Sequence, residues 1–592
     1  MRAATAVIIV IGLALSACAG DDSRADTPTT TVGAANEADT SESTEALAEN
    51  SDGATSVSVE RSANIGLVAL VHVDAEVPVR AQVTASSGDH VVSTPLTSAA
   101  DSDLEIPVVG LRPDRSYAID IDIFDETDEL IETVTAEFAT DPLPSWIADH
   151  DVTVDAARTS PGYTIVEFDP ALPEDEGPFT QYLAAYDDTG AIVWYYTNSG
   201  TLGGVEQTVD GTFLMHYWPF GIREVDMAGN VVAQWRPQPT SVAPGAVDDE
   251  ALVSEVDPDQ IALFGDVLEG NEGDAEPTPV RAEWIDLLSF HHENWPMPNG
   301  NVLALSSTTH ALTADQRSIL CPGDPVEFDV VSDVAVEFDR AGTVLRTWDL
   351  WDVIDVMEYP GAEMCVESGL FAEPDRRDWT HANSVVYDPE RDAVIVSVRH
   401  TDQIIAFDHL DDEGPQGDVR WVLGAGATMP FDAEPTYHQH AVEVNDDGSL
   451  VVFDNGNLRP GTSPDDPENP PYSRAVIYDV DDTSADSADW SARQRWEYRA
   501  DDADGTPVYS DFISDADVLA NGNVLITFGG IGTFPPTPAD PLRALIVEVV
   551  PTGASGGDVV MQITTKDGQP NTVYRSERIE TFYAGPEWTA RI

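Results

Sequence analysis

From about residue 150 the chain repeats a short unit, and a repeat of this kind leaves few folds open. The unit is Asp, two residues, Gly, an apolar run, then Trp. It reads Asp187-Asp188-Thr189-Gly190 to Trp194, Asp226-Met227-Ala228-Gly229 to Trp235, and Asp339-Arg340-Ala341-Gly342 to Trp348. Looser copies run from Asp408 to Trp421 and from Asp479 to Trp496. A degenerate sixth runs through Val547-Glu548-Val549 and Gly556-Gly557 to Val559-Val560. An Asp–Gly turn between apolar strands is a hairpin signal. A second unit, Asn or Asp then Gly then an apolar strand, alternates with the first. It appears at Asp210-Gly211, Asn299-Gly300, Asp447-Gly448 and Asn521-Gly522, with the turn Asp388-Pro389 in the same slot before Ala393. Two hairpins per repeat make four strands, and four-stranded antiparallel units repeated radially make a β-propeller. The expectation is therefore an all-β chain whose residues 150–592 form a six-bladed β-propeller, with seven blades as the other count; helical periodicity is almost absent.

The N-terminal quarter is different. Arg2 precedes the apolar run Ala6–Leu15, which is too short to span a bilayer and reads as a secretory signal. Leu15-Ser16-Ala17-Cys18 resembles a bacterial lipobox, so residues 1–18 are expected to be a lipoprotein signal peptide with Cys18 as the lipidated residue. Residues 19–60 are acidic and poor in large apolar side chains, and are expected to be a disordered tether. Residues 61–142 alternate apolar and polar positions, as in Leu67–Val73 and Tyr117–Ile123. Gly110-Leu111-Arg112-Pro113 ahead of Tyr117 is similar to the signature of fibronectin type III-like β-sandwich domains. In an exported chain the two remaining thiols, Cys321 and Cys365, are expected to form a disulfide.

Acidity limits the partners. The chain carries 107 Asp and Glu against 28 Lys and Arg, a formal net charge of −79. Such a surface repels nucleic acid and anionic lipid, so no nucleic-acid partner is expected and membrane contact only through the lipid anchor. A site for an anionic substrate must supply local positive charge.

The 12 histidines are not scattered evenly. Counting back eight residues from Gly300, Pro389 and Gly448 gives His292, His381 and His440; the same offset gives Gly203 and Ser514 in two other copies. The innermost strand of each blade lines the central channel, so equivalent positions face one another and three imidazoles are expected to converge. Arg399 ends the strand Ile395–Val398, 18 residues after His381, where a guanidinium is costly to bury unless it meets an anion. Three histidines alone suggest a metal, but a permanent guanidinium repels a cation, and His plus Arg suits a tetrahedral oxyanion. No metal and no cofactor are expected. A non-catalytic anion-binding propeller and a metal-dependent propeller hydrolase or lyase stay open as alternatives.

Several stretches over residues 150–592 resemble the bacterial arylsulfate sulfotransferases that work without a phosphoadenosine donor. They are Asp378-Trp379-Thr380-His381-Ala382-Asn383-Ser384, Ser397-Val398-Arg399-His400, Trp421-Val422-Leu423-Gly424, Gln439-His440, Phe453-Asp454-Asn455-Gly456-Asn457 and Tyr472-Ser473-Arg474-Ala475-Val476. The resemblance implies a six-bladed propeller with a small N-terminal β-domain. It also implies ping-pong transfer of a sulfuryl group from an aryl sulfate donor to a phenolic acceptor. His440 would be the nucleophile that becomes sulfated, with His292, His381 and Arg399 holding the sulfuryl oxygens. His291 competes with His292, and His438 less strongly with His440. Trp379, Asn383, Tyr437, Asn455 and Arg474 complete the candidate substrate-binding set, with Trp379 and Tyr437 equally readable as core residues, and His381 is favoured as the proton carrier.

Overall fold

The computed structural model describes residues 46–49, 55–170, 181–197, 201–218, 221–237, 280, 282–324, 327–361, 364–365, 376–409, 417–532, 542–565 and 571–585. The signal segment, Cys18 and most of the expected tether lie outside them. The fold is all-β and propeller-like. Among the described residues there is one short α-helix, Ala314–Leu320, capped at both ends of its first turn by Thr313 and Gln316.

The first sheet begins earlier than composition suggests. Residues 46–60 fall within the expected tether, yet Ala46–Glu49 and Thr55–Arg61 are paired strands, and Val57 and Val59 are buried. Two valines on one face suffice once a partner strand exists, a signal too weak to stand out from the Ser and Glu around it. The 19-residue strand Ala69–Ser87 pairs along its first half with Thr55–Arg61 and Asp101–Val108, and along its second half with Ser116–Phe124 and His90–Ser93. The Tyr117 hydroxyl accepts the Arg112 amide at 2.8 Å, which closes the corner that the Gly-Leu-Arg-Pro stretch opens. Two polar contacts fasten this unit to the sheets C-terminal to it: Arg112 pairs with Asp187 at 2.6 Å and the Ser62 hydroxyl donates to Ala228 O at 2.7 Å.

Beyond this unit the described residues form six sheets of four or five strands. Their innermost strands are the C-terminal Asn571–Ile579, then Thr201–Gln207, His291–Pro296, Ala382–Asp388, His440–Val444 and Asp515–Val518, and these neighbour one another in a closed cycle. The ring is closed twice. Asn571–Ile579 supplies the inner strand of the first sheet by pairing with Tyr163–Pro170, and His150–Val154 supplies the outer strand of the last by pairing with Gly557–Thr565.

The repeated residues explain themselves locally. Asp187, Asp226 and Asp339 each accept two backbone amides across their own turn, and Gly190, Gly229 and Gly342 take φ of 82°, 84° and 78°, where a side chain would strain the backbone. The tryptophans tie sheet to sheet. Trp194 Nε1 donates to Met227 O at 2.9 Å, Trp235 Nε1 to Arg340 O at 3.2 Å and Trp496 Nε1 to Gly556 O at 2.9 Å, each bond reaching the turn of the next sheet. All three indoles are buried, so each satisfies its polar atom while filling the gap between sheets.

Candidate active site

At one end of the channel five of the six inner strands lose their regular register, and Asp515–Val518 keeps it. Irregularities fall between Gly203 and Glu206, His291 and Asn294, Ala382 and Ser384, His440 and Val442, and Val573 and Ser576. Positive φ accompanies four of them, at Gly204, His292, His381 and Ala441, and also occurs at Ser514, just before the regular strand Asp515–Val518. A bulge of this kind re-aims a side chain, here toward the axis. Gly204 has no room for a side chain: a Cβ there would lie 2.9 Å from His292 O.

The bulges bring the predicted imidazoles together. The His292 ring lies 4.9 Å from His381 and 6.1 Å from His440, centroid to centroid. Arg399 joins them. Its amide donates to His381 O at 3.3 Å, its guanidinium donates to Asp511 O at 3.1 Å, and its charge acts on His440.

Hydrogen-bond partners set the state of each ring. His440 Nδ1 lies 2.8 Å from Ser514 O. A carbonyl only accepts, so Nδ1 carries the proton and Nε2 keeps its lone pair. Burial, then the charges of Arg575 and Arg399, hold His440 well below the usual imidazole range. His292 is likewise held low, by burial and by its neighbours His381, His291 and His440. Both are neutral imidazoles at neutral pH. His381 Nδ1 donates to Asp378 Oδ2 at 2.5 Å.

The other candidates separate from this group. His291 stands behind His292, Nδ1 to Nδ1 at 2.9 Å, with Nε2 3.3 Å from Asp333. His438 is buried with its ring 3.1 Å from Asp402. Trp379, expected at the substrate ring, is core instead: it is fully buried, packs edge-on against Trp351 and donates Nε1 to Tyr359 O at 2.8 Å. Arg474 is 1% exposed and is already paired with Asp454 at 2.7 Å and Glu497 at 2.6 Å, so its charge is not available to a substrate. Asn383 and Asn455 clamp adjacent sheets, donating to Gln439 O at 2.8 Å and to Ser510 O at 2.8 Å. Tyr437 is engaged elsewhere, its ring under the Arg459 guanidinium at 5.0 Å. Cys321 and Cys365 are joined in a disulfide.

Sequence reasoning missed the residues from the closing strand. Tyr574 sets its ring edge-on to His440 at 5.6 Å and donates its hydroxyl to His292 O at 3.1 Å. Arg575 crosses the channel, ion-paired with Glu293 and donating to Asn383 O at 2.7 Å. The recurring unit read from the sequence ends at Val559-Val560 and does not reach this strand, although Asp567-Gly568 stands just before it. His400, stacked on His381 at 4.5 Å, was visible only as a neighbour of Arg399.

Below the imidazoles the same strands carry carboxylates. Glu206, Glu293, Glu443, Asp515, Asp517 and Glu577 line the channel with Glu167 behind them, and all are pushed above the carboxylate range, foremost by burial. Glu167 and Glu577 reach about 8 and Asp515 about 7.

The family model described as arylsulfotransferase (ASST) matches residues 156–575, a span that takes in five of the six inner strands and the first part of the sixth, through Arg575. The chain belongs to the arylsulfotransferase family. It is 26% identical over 291 residues to the arylsulfate sulfotransferase AssT of Escherichia coli O6:H1, covering 40% of this chain and 45% of that one. It is 24% identical over 295 residues to the AssT of Lelliottia amnigena, covering 41% and 45%. The chain thus spans about half the length of these curated relatives. Among solved structures, the periplasmic gluconolactonase PpgL of Pseudomonas aeruginosa is 9% identical with a TM-score of 0.31, covering 84% of this chain and 99% of that one. At that score the likeness adds nothing to what the arylsulfotransferase match establishes.

Proposed function

We propose that this arylsulfotransferase moves a sulfuryl group from an aryl sulfate to a phenol by a ping-pong route through a sulfated His440. The observation that carries the reading is the convergence of three imidazoles and Arg399 at the mouth of the channel, with a lone pair left on His440 Nε2. A neutral imidazole is a competent nucleophile near neutral pH and needs no base to activate it. Sulfuryl transfer resembles phosphoryl transfer: charge sits on the equatorial oxygens of a loose transition state, so catalysis is positioning and electrostatics. Arg399 offers fixed donors to those oxygens, each worth about 3 kcal/mol when well placed. His381 exchanges the proton with the phenolic oxygen, and His292 completes the pocket. Each of the six sheets is read as one blade.

Asp378, His381 and His400 place ligand atoms within 4.8 Å of one another, which favours a metal reading at first sight. The His381 and His400 rings, however, stack at 26°, so their in-plane lone pairs run side by side instead of converging on one ion.

We further infer export with a lipid anchor at Cys18. The disulfide suits an oxidising compartment, and among the described residues no helix is long and apolar enough to cross a membrane.

The test is turnover of 4-nitrophenyl sulfate with phenol as acceptor. Wild type should transfer; His440→Ala should fold, show the wild-type melting curve and transfer nothing. Mass analysis of wild type quenched with donor alone should find one SO3 on the peptide carrying His440. Near-normal turnover by the variant overturns the assignment.

A further inference from the structure

We propose that Asp378 is a positioning residue that makes His381, and not His440 or His292, the proton carrier of the reaction. This rests on the transferase reading above. The geometry is a contrast between two imidazoles of the same tautomer. Both His440 and His381 donate from Nδ1, so both present Nε2 to the cavity. The partner of His440 is the Ser514 carbonyl, which is neutral. The partner of His381 is the Asp378 carboxylate at 2.5 Å, and that side chain is 2% exposed. A buried carboxylate is complementary to an imidazolium, whereas a carbonyl fixes the tautomer without matching a full charge. The ring that must attack sulfur therefore stays neutral, and the ring that must gain and lose a proton has a counter-charge.

His381 is held on three sides. Its backbone is fixed at φ 50°, its face is covered by His400 at 4.5 Å, and Asp378 holds Nδ1. The only freedom left at the ring is the proton on Nε2. The first half-reaction starts with His381 as the imidazolium opposite the Asp378 carboxylate: the His440 Nε2–S bond forms, the S–O bond to the aryl group breaks, and the Nε2 proton of His381 goes to the leaving phenolate, leaving His381 neutral. In the second, the acceptor phenol returns a proton to His381 Nε2, its oxygen bonds to sulfur, and the N–S electron pair goes back to His440. Protons and charge balance over the cycle.

The test uses leaving groups of different basicity on the full-length protein. A 4-nitrophenolate departs well unprotonated; a phenolate does not. Asp378→Asn should lose about 10²-fold in kcat with phenyl sulfate, the scale of a lost general acid, and no more than about tenfold with 4-nitrophenyl sulfate, with KM little changed. His381→Gln should show the same split, and Asp378→Asn added to it should cost nothing further. An Asp378→Asn variant that folds and loses the same factor with both donors, or loses nothing, overturns the proposal. Should that variant not fold, Asp378→Glu carries the test, because its extra methylene shifts the carboxylate off Nδ1; an unchanged split there overturns it too. Wild type that fails to turn over either donor refutes the transferase reading instead, so the two failures are distinguishable.

Discussion

The mouth of the channel and its floor are built largely from the same inner strands, with Arg399 added from the end of the neighbouring strand Ala393–Val398, yet their chemistry is opposite. At the mouth sit His292, His381, His440 and Arg399; Glu293 lies one position beyond His292 and Glu443 three beyond His440, and Asp515 and Glu577 join them from two further inner strands. Burial drives both sets toward neutrality. It pulls His292 and His440 down and pushes the carboxylates up. The charges that survive this are the guanidiniums, which cannot give up a proton. Arg575 spends its charge on Glu293 across the floor, while Arg399 donates to the Asp511 carbonyl and its charge also acts on the Asp511 carboxylate and on His440. The comparison teaches how a chain of net charge −79 can keep positive charge at the mouth: carboxylates near it are neutralised by protons or by Arg575, and Arg399 keeps its guanidinium charge, as the proposed transfer of an anionic group requires.

The sharpest way to break this contrast is to remove Arg575. Arg575→Met should destabilise the fold by about 3–5 kcal/mol, the cost of orphaning a buried ion-pair partner, read from denaturant unfolding. Adding Glu293→Gln should recover part of the loss. An unchanged midpoint would mean that Arg575 is not what holds the floor together.

A smaller effect, confined to the mouth, is expected from Arg399→Lys. An ammonium cannot reproduce the planar fork, and transfer should fall by roughly 10²-fold, the scale of one lost transition-state donor. The melting temperature should stay within error of wild type.

The smallest effect compares the two ends by pH. The neutral histidines of the mouth bind fewer protons folded than unfolded, so they lower stability as pH falls below the ordinary imidazole value, about 6.5. The floor carboxylates bind more protons folded than unfolded, so stability is lost as pH rises from about 4.5 through about 8. Between about pH 6.5 and about pH 8 only the floor titrates, and the melting temperature should decline. Glu577→Gln should flatten that decline. A melting temperature that rises over this window would show that the floor is not protonated in the fold.

Much of the ring and its mouth was legible in the residues alone. The Asp–x–x–Gly…Trp unit gave the all-β ring, because turn chemistry and a tryptophan that must reach the next sheet both leave a local trace. The shared offset singled out His292, His381 and His440, and Arg399 followed from being a guanidinium at the end of an apolar strand. The residues alone left open whether Trp379 and Arg474 face a cavity or a core, because that depends on neighbours, here Trp351, Tyr359, Asp454 and Glu497.

The sequence alone determined the repeat, its strand period and which residue types recur at the inner turn, since hairpin turns and hydrophobic alternation act over a few residues. Only the tertiary structure decided that Asn571–Ile579 closes the ring with Tyr574 and Arg575, that His291 stands behind His292, and that Asp378 meets His381 while a carbonyl meets His440. The closing strand and the His440–Ser514 contact join residues far apart in the sequence, and no local rule of spacing encodes where two ends of a closed circle meet; His291–His292 and Asp378–His381 are near neighbours whose side-chain directions follow from the positive φ at His292 and His381.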